Sequence, residues 1–206
     1  MSTLAGNSIE RAVVHRPRQG VWSGTVKLVN PVALVGTVVL TIEDLTLTGT
    51  VVRGGVDKAE ASSDYLITGG AGGWRQDIGA KSYRNDLGVK LSTVLGDAAR
   101  EAGERLELAA DRIVGSAYVR RAGPAWNVLV GPWWMDDTGV TQVRPRPSLK
   151  VISSYRVLRQ VLSLAMREIA TETPAAFAPG AIFYEAPIEQ VTIHVDHASL
   201  RLTVRS

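Results

Sequence analysis

TGGAGGWRQDIGAKSYRNDLGVKLSTVLGDAAREAGERLEL, residues 68–108, decides how this chain is read. From Val89, the apolar residues Val89, Leu91, Val94, Leu95, Ala98, Ala99 and Ala102 recur at spacings of three and four. That is the period of a helix with one buried face. Asn85 or Asp86 is placed to cap its start. Gly103 is placed to end it, because glycine tolerates the left-handed conformation that closes a helix. Lys90, Asp97, Arg100, Glu101 and Glu104 fill the opposite, solvated side. A glycine-rich turn precedes the helix, and β-patterned sequence lies on both sides of it.

Outward from the helix, the pattern changes to period two. Residues 9–15 alternate loosely. Over 21–29, Trp22, Gly24, Val26 and Leu28 alternate with Val21, Ser23, Thr25, Lys27 and Val29. Asn30-Pro31 breaks that strand. GTVVLTI (36–42) and LTLTGTVV (45–52) are joined by a tight turn at Glu43-Asp44. Short strands at such spacing predict a small antiparallel barrel or sandwich, with Gly24 and Gly49 at its bends. Residues 53–63 read as a polar linker, and 63–67 as a further strand. After the helix, 105–110 and 118–120 read as short strands, and 124–131 as a short helix with proline in its first turn. WWMDDTGVTQV (133–143) reads as a hairpin around Asp136-Asp137-Thr138-Gly139. Helix and strand patterns compete over 151–164, with strand preferred. Residues 173–180 read as a loop, and 181–184, 188–195 and 200–204 as closing strands, with turns at Pro187 and at His197-Ala198-Ser199.

Composition narrows the function classes. The chain has 206 residues, 45% hydrophobic and 21% charged, the profile of an ordinary globular protein able to bury a core. It has no cysteine, which excludes disulfides, thiolate metal sites and thiol nucleophiles. No signal-peptide pattern is seen, and no run approaches the roughly 18 apolar residues of a membrane span. The net charge is +3, but the arginines at 120–121, 144–146 and 156–159 are not interleaved with stacking aromatics, as a nucleic-acid stripe would be.

Four motifs invite chemistry. Asp137-Thr138-Gly139 spells the aspartic-protease triplet, but it occurs once and sits at a hairpin tip. His194 and His197 flank Asp196, yet residues three apart on a strand face opposite sides, and His15 is distant in sequence. Gly69-Gly70-Ala71-Gly72-Gly73 is separated by more than ten residues from the helix that a phosphate-binding loop would open, so it reads as a tight bend. Trp133 and Trp134 are adjacent and cannot form one sugar platform on a strand; Trp22, Trp74 and Trp126 are dispersed. No G-x-S-x-G elbow occurs. No catalytic, cofactor-binding or metal residue is assigned, no cofactor is expected, and the chain is not expected to be an enzyme.

The order of these parts resembles the baseplate hub or tail-tip proteins of long-tailed bacteriophages and the related spike hub of type VI secretion. The resemblance is carried by VLGDAAREAG (94–103), by the short helix at 124–130 and by the hairpin at 136–139. It implies an α+β, mostly β fold: two small antiparallel, tube-like β-barrel parts at 1–61 and 151–206 flanking a helix-and-hairpin middle at 62–150. It further implies a homotrimer in the virion tail tip, assembled in the host cytoplasm. Its partners would be a distal tail or tail tube protein, the tape-measure protein and a central spike or fibre. Passing DNA would be met without sequence recognition. The family transfers no catalytic residue. The sequence leaves two other classes open: a carbohydrate- or receptor-binding β-module on a virion or cell surface, and a small hydrolase. If copies form a ring, edge strands such as 45–52 are expected to meet neighbours.

Overall fold

The computed structural model describes residues 2–57, 61–151, 153–197 and 199–206. Ten strands form one sheet, labelled here in chain order. They are β1 (Ser2–Leu4), β2 (Asn7–Pro17), β3 (Ser23–Leu28), β4 (Thr37–Ile42), β5 (Leu45–Asp57), β6 (Ser62–Gly69), β7 (Arg156–Val161), β8 (Met166–Ala170), β9 (Gln190–Asp196) and β10 (Ser199–Arg205). Their order is β1-β4-β5-β6-β3-β2-β9-β10-β8-β7, and β1 also pairs with β2. That extra pairing closes the first six strands into an antiparallel barrel. The α+β, mostly β class expected from the sequence is the one observed.

The alternation explains the barrel wall. Gly24, Val26 and Leu28 of β3, Val38, Leu40 and Ile42 of β4, and Leu45 and Leu47 of β5 are buried, while their neighbours face out. β6 lies beyond residue 61 but belongs to the barrel, and the C-terminal strands enter the same sheet through β2 and β9. All three sequence-defined parts therefore contribute to one sheet or its cover. The expected linker at 53–63 is corrected. Residues 53–57 continue β5 and pair with β6, because Gly54 and Gly55 lie opposite Tyr65 and Asp64. Part of that expected linker, Lys58 to Glu60, lies outside the described residues, as do Ile152 of the 151–164 segment and Ala198 of the expected turn.

Glycines mark close approach inside the barrel. Gly49 and Gly69 face each other across β5 and β6, and the Trp22 indole lies over the pair. A Cβ on Gly49 would stand 2.3 Å from the Thr68 carbonyl oxygen and 2.8 Å from the Trp22 ring.

The helix α1 (Leu91–Glu101) buries Leu91, Val94, Leu95, Ala98 and Ala99, the face read from the sequence. Gly103 ends it at φ 69°. The expected N-cap is corrected. Asn85 instead turns the preceding loop, accepting from the Leu87 amide through Oδ1, and α1 starts later, at Leu91. Asp111 caps α1 from outside, accepting from the Ser92 amide and hydroxyl. The hairpin forms as read, Trp134–Met135 against Thr141–Val143. The segment after Pro124 is a 3-10 turn at Ala125–Val128. Over 156–161 the strand reading holds, and β8 is a strand that the sequence pattern missed. No helix among the described residues is long and apolar enough to cross a membrane.

Replacing Gly49 by alanine is expected to lower stability by roughly 1–3 kcal/mol through overpacking against Trp22 and the β6 backbone. Gly55→Ala, whose Cβ would meet nothing within 4 Å, should leave the denaturation midpoint nearly unchanged. Equal midpoints in urea titrations of the two variants would contradict this account.

Candidate functional site

Two of the motifs that suggested chemistry, the glycine turn and the Asp-Thr-Gly triplet, are bonded by the chain's own groups. The glycine turn at 69–73 holds Gly70 and Gly72 at φ 68° and 80°, aiming amides inward. The buried Glu104 fills that nest: its carboxylate accepts from the Ala71 amide at 3.1 Å and the Gly73 amide at 2.7 Å. A phosphate would have to displace a carboxylate already bonded there. Sequence reading placed Glu104 on the solvated face of the helix. It lies three residues past the end of α1, where Gly103 turns the chain inward.

The Asp137 triplet is a hairpin tip docked on the barrel. Asp136 Oδ1 accepts from the Thr138 amide, the Thr138 hydroxyl and the Val140 amide, and Gly139 takes the expected left-handed conformation at φ 76°. The Asp137 carbonyl accepts from the Thr48 amide of β5 at 2.8 Å, and its carboxylate pairs with Arg16 of β2. Arg16 is only 2% exposed, against 43% for Asp137. Beside them Arg146 lies over the Trp134 ring at 4.4 Å and donates to the Pro17 carbonyl. Burial, then the neighbouring Arg16 charge, push its pKa down to about 10. The Arg16–Asp137 ion pair, the Thr48–Asp137 backbone bond and the Arg146–Pro17 bond thus fasten this region to the barrel. No local pattern signals this, since Arg16 and Asp137 are 121 residues apart along the chain.

His194 and His197 do not share a site: His194 lies on β9 and His197 in the following turn at φ 45°. The structure instead brings His15 near His194, because β2 and β9 are paired neighbours. Among the described residues, no group of three or more His, Asp and Glu side chains is placed to hold a metal. Trp22, Trp74 and Trp134 are buried. Trp126 and Trp133 line a small apolar recess of about 210 Å³ with Val21 and Trp74.

Two edges of the ten-strand sheet are left without a neighbouring strand among the described residues. The expectation that 45–52 forms an edge is corrected: 45–50 pairs with β4 on one side, and β6 takes the other side from Gly49 onward. β4 ends its pairing at Thr50, and the Val51 amide donates to the Gly36 carbonyl. Past that point, residues 52–57 have β6 on one side and no strand on the other, among the described residues. β7 at the far end of the sheet likewise pairs only with β8. Each run is six residues long, and each exposes apolar side chains: Val52 and Val56 on β5, Val157 and Leu158 on β7. Eight strands, β5-β6-β3-β2-β9-β10-β8-β7, run unbroken between these two edges.

No protein-family model matches the sequence, and no curated protein does. Solved structures do match. One is the E. coli c3393 protein, described as a component of the type VI secretion system with structural similarity to the T4 bacteriophage tail proteins gp27 and gp5. It is 10% identical with TM-score 0.64, over 100% of this chain and 76% of that one. A tail protein of Neisseria meningitidis MC58 is 12% identical with TM-score 0.63, over 100% and 95% of the two chains. The 43 kDa tail protein of prophage MuSo2 from Shewanella oneidensis is 9% identical with TM-score 0.59, over 98% and 95%. The chain therefore has the fold of phage tail and type VI secretion proteins, as its sequence resemblance implied.

Two outcomes are expected here. Asp137→Ala leaves the Arg16 charge buried without its partner. It should cost about 1–3 kcal/mol by denaturant titration, less than the 3–5 kcal/mol of a fully buried pair because Asp137 is half exposed. His194 has its pKa lowered from 6.5, first by burial and then by His15. A depressed base favours the neutral form in the folded state, so its contribution is complete above pH 6.5 and is lost as pH falls through the folded pKa. His194→Gln should flatten the fall of the denaturation midpoint below about pH 6.5; an unchanged slope would assign that fall to other groups.

Proposed function

We propose that this protein is a structural component of a bacteriophage tail, a baseplate hub at the tail tip that joins the tail tube to the central spike or fibre. Its work is assembly, without chemistry of its own. The observation that carries the proposal is the pair of free edges at the two ends of one eight-strand run. β2 and β5 are built alike. The first part of each pairs with β1 or β4 to close the barrel, and the later part projects beyond it. On β2 that later part takes β9. On β5 no strand lies along it on that side, among the described residues.

An unpaired, partly apolar edge invites another strand. Here the edge that is free on β5 and the edge that is free on β7 are different surfaces. Contact between them is head-to-tail, and such contacts give a ring when the rotation closes. Three copies would each supply eight strands to a continuous sheet around a central opening. That collar would stack on the tail tube and leave a channel for the tape-measure protein and for DNA, which passes without sequence recognition. The solved structures of the same fold support this reading by their descriptions as tail and secretion components.

The test uses the absence of native cysteine. Gly55→Cys and Gln160→Cys place one thiol on each free edge. A short bismaleimide should join the two single variants when they are mixed and join neither alone, because only unlike edges meet. The doubly substituted chain should give products that stop at three copies, with a matching mass by light scattering. A solitary chain at high concentration, with no cross-link, would remove the proposal. A ladder continuing past three would keep the edge contact and remove the closed ring.

A further inference from the structure

Outside the ten-strand sheet, the middle region carries a two-stranded arm, Lys81–Arg84 against Ala117–Arg120. From the outer face of this arm we infer a docking surface for a partner protein. Its occupant is an amphipathic helix whose apolar stripe is bordered by Asp and Glu. The arm belongs to neither edge of the ten-strand sheet, so the inference stands whether or not copies close into a ring.

The arm has two unlike faces. Lys81, Tyr83, Tyr118 and Arg120 turn inward onto the polar side of α1, where Lys81 bonds Asp97 and Arg120 bonds Glu101. Alternation then sends Ser82, Arg84, Ala117 and Val119 outward, and all four are exposed. The pairing continues past the strands: the Asn85 amide donates to the Ser116 carbonyl, the Val89 amide to Gly115 and the Leu91 amide to Arg112. Between those bonds, residues 85–88 form a turn that carries Leu87. Gly88 lies so close to Ile113 that a Cβ on it would stand 2.5 Å from that side chain. Leu87, Ile113 and Val119 are 89%, 62% and 63% exposed. One such aliphatic side chain would be ordinary, but three along one arm make a patch. From Ile113 through Ala117 to Val119 it runs about 20 Å, at roughly 3.3 Å per residue.

Shape and charge select the occupant. A sheet edge takes a strand, but an apolar sheet face takes a covering layer, and a helix supplies one. A length of about 20 Å matches roughly four helical turns of 5.4 Å. Arg84, Lys90, Arg112 and Arg121 are exposed along the arm, against the carboxylates Asp86 and Asp111. Asp111 is already engaged in capping α1, so the surroundings of the patch are net positive. An aliphatic centre with a cationic rim is the anatomy of a protein interface, and acidic flanks complement it. A nucleic acid or an anionic bilayer would also meet the cations, but each favours exposed aromatic rings. Here Tyr83 and Tyr118 lie on the inner face, half-buried, with their rings 6.3 Å apart.

The probe is a labelled helical peptide of Leu, Ala and Glu, apolar on one face and about 18 residues or five turns long. Fluorescence anisotropy with the intact chain should show it binding, and its counterpart with Lys for Glu binding at least tenfold more weakly. Val119→Asp and Ile113→Asp should each weaken the acidic peptide at least tenfold, with urea midpoints near the parent's. Arg84→Glu combined with Arg121→Glu should reverse the preference between the two peptides. Equal affinity for both peptides, or Asp variants that bind like the parent, would overturn the inference. Preference for duplex DNA or for phosphatidylserine vesicles over the acidic peptide would overturn it as well. Val119→Cys chains that a bismaleimide joins to one another would give the face to a second copy, and so remove the proposed partner. The Gly55→Cys and Gln160→Cys mixture reads the ring separately from all of these.

Discussion

The structure depends on one constraint: β2 has to pair along one edge with two different strands. Asn7 and Ser8 pair with β1, and Arg11 to Pro17 pair with β9. A shift in register with β3 between Ile9 and Arg11 accompanies the change of partner. Such an irregularity adds twist and bends the strand, so the first part can curl into the barrel while the second opens onto the outer sheet. Through β2 the C-terminal strands become part of the N-terminal barrel's wall. A side chain of that second part, Arg16, then reaches the middle region. Barrel, outer sheet and hairpin are all fastened to the same eleven-residue strand.

The middle region is held by polar groups that satisfy one another at a distance. Glu104 closes the glycine turn, Asp111 caps α1, and Asp136 knots the hairpin tip. Arg120, only 2% exposed, donates to the Gly79 carbonyl and to Glu101 of α1. These bonds offset the cost of burying their groups, although Arg120 Nη1 stays unbonded, and the loops gain rigidity without long regular elements. The same bonding engages the Asp137 carboxylate of the protease-like triplet and the backbone amides of the glycine turn. The arrangement suits a part whose task is to hold shape.

Local patterns were legible in the sequence and distant pairings were not. Period-two alternation marked β3, β4 and the first part of β5, and the helical period marked the buried face of α1. Asp-Thr-Gly between apolar arms marked the hairpin, and Gly103 the helix end. What failed was non-local. Asp111 caps a helix that begins 20 residues before it, and no spacing rule connects the two. β5 continues through Arg53-Gly54-Gly55, which composition alone reads as loop, because β6 lies alongside to pair with it. β8 escaped notice because its sequence, MREIA, buries only Ile169. His15 and His194 become neighbours only once β2 pairs with β9. The run expected at a sheet edge, 45–52, is paired with β4 through residue 50, and the run with no strand on one side is 52–57, among the described residues.

An exposed edge would be a hazard if any strand could join it, and both free edges carry features that restrict what can dock. β5 shifts register between Val51 and Arg53, and β7 between Val157 and Arg159, so neither presents six regular residues in a row. Each edge includes arginine, and the β5 arm includes paired glycines, all of which weaken pairing with an arbitrary flat strand. Irregular edges of this kind tolerate one neighbour and discourage the rest. The proposed collar would need that selectivity, since each copy would have to find the next in a single register before the sheet could close.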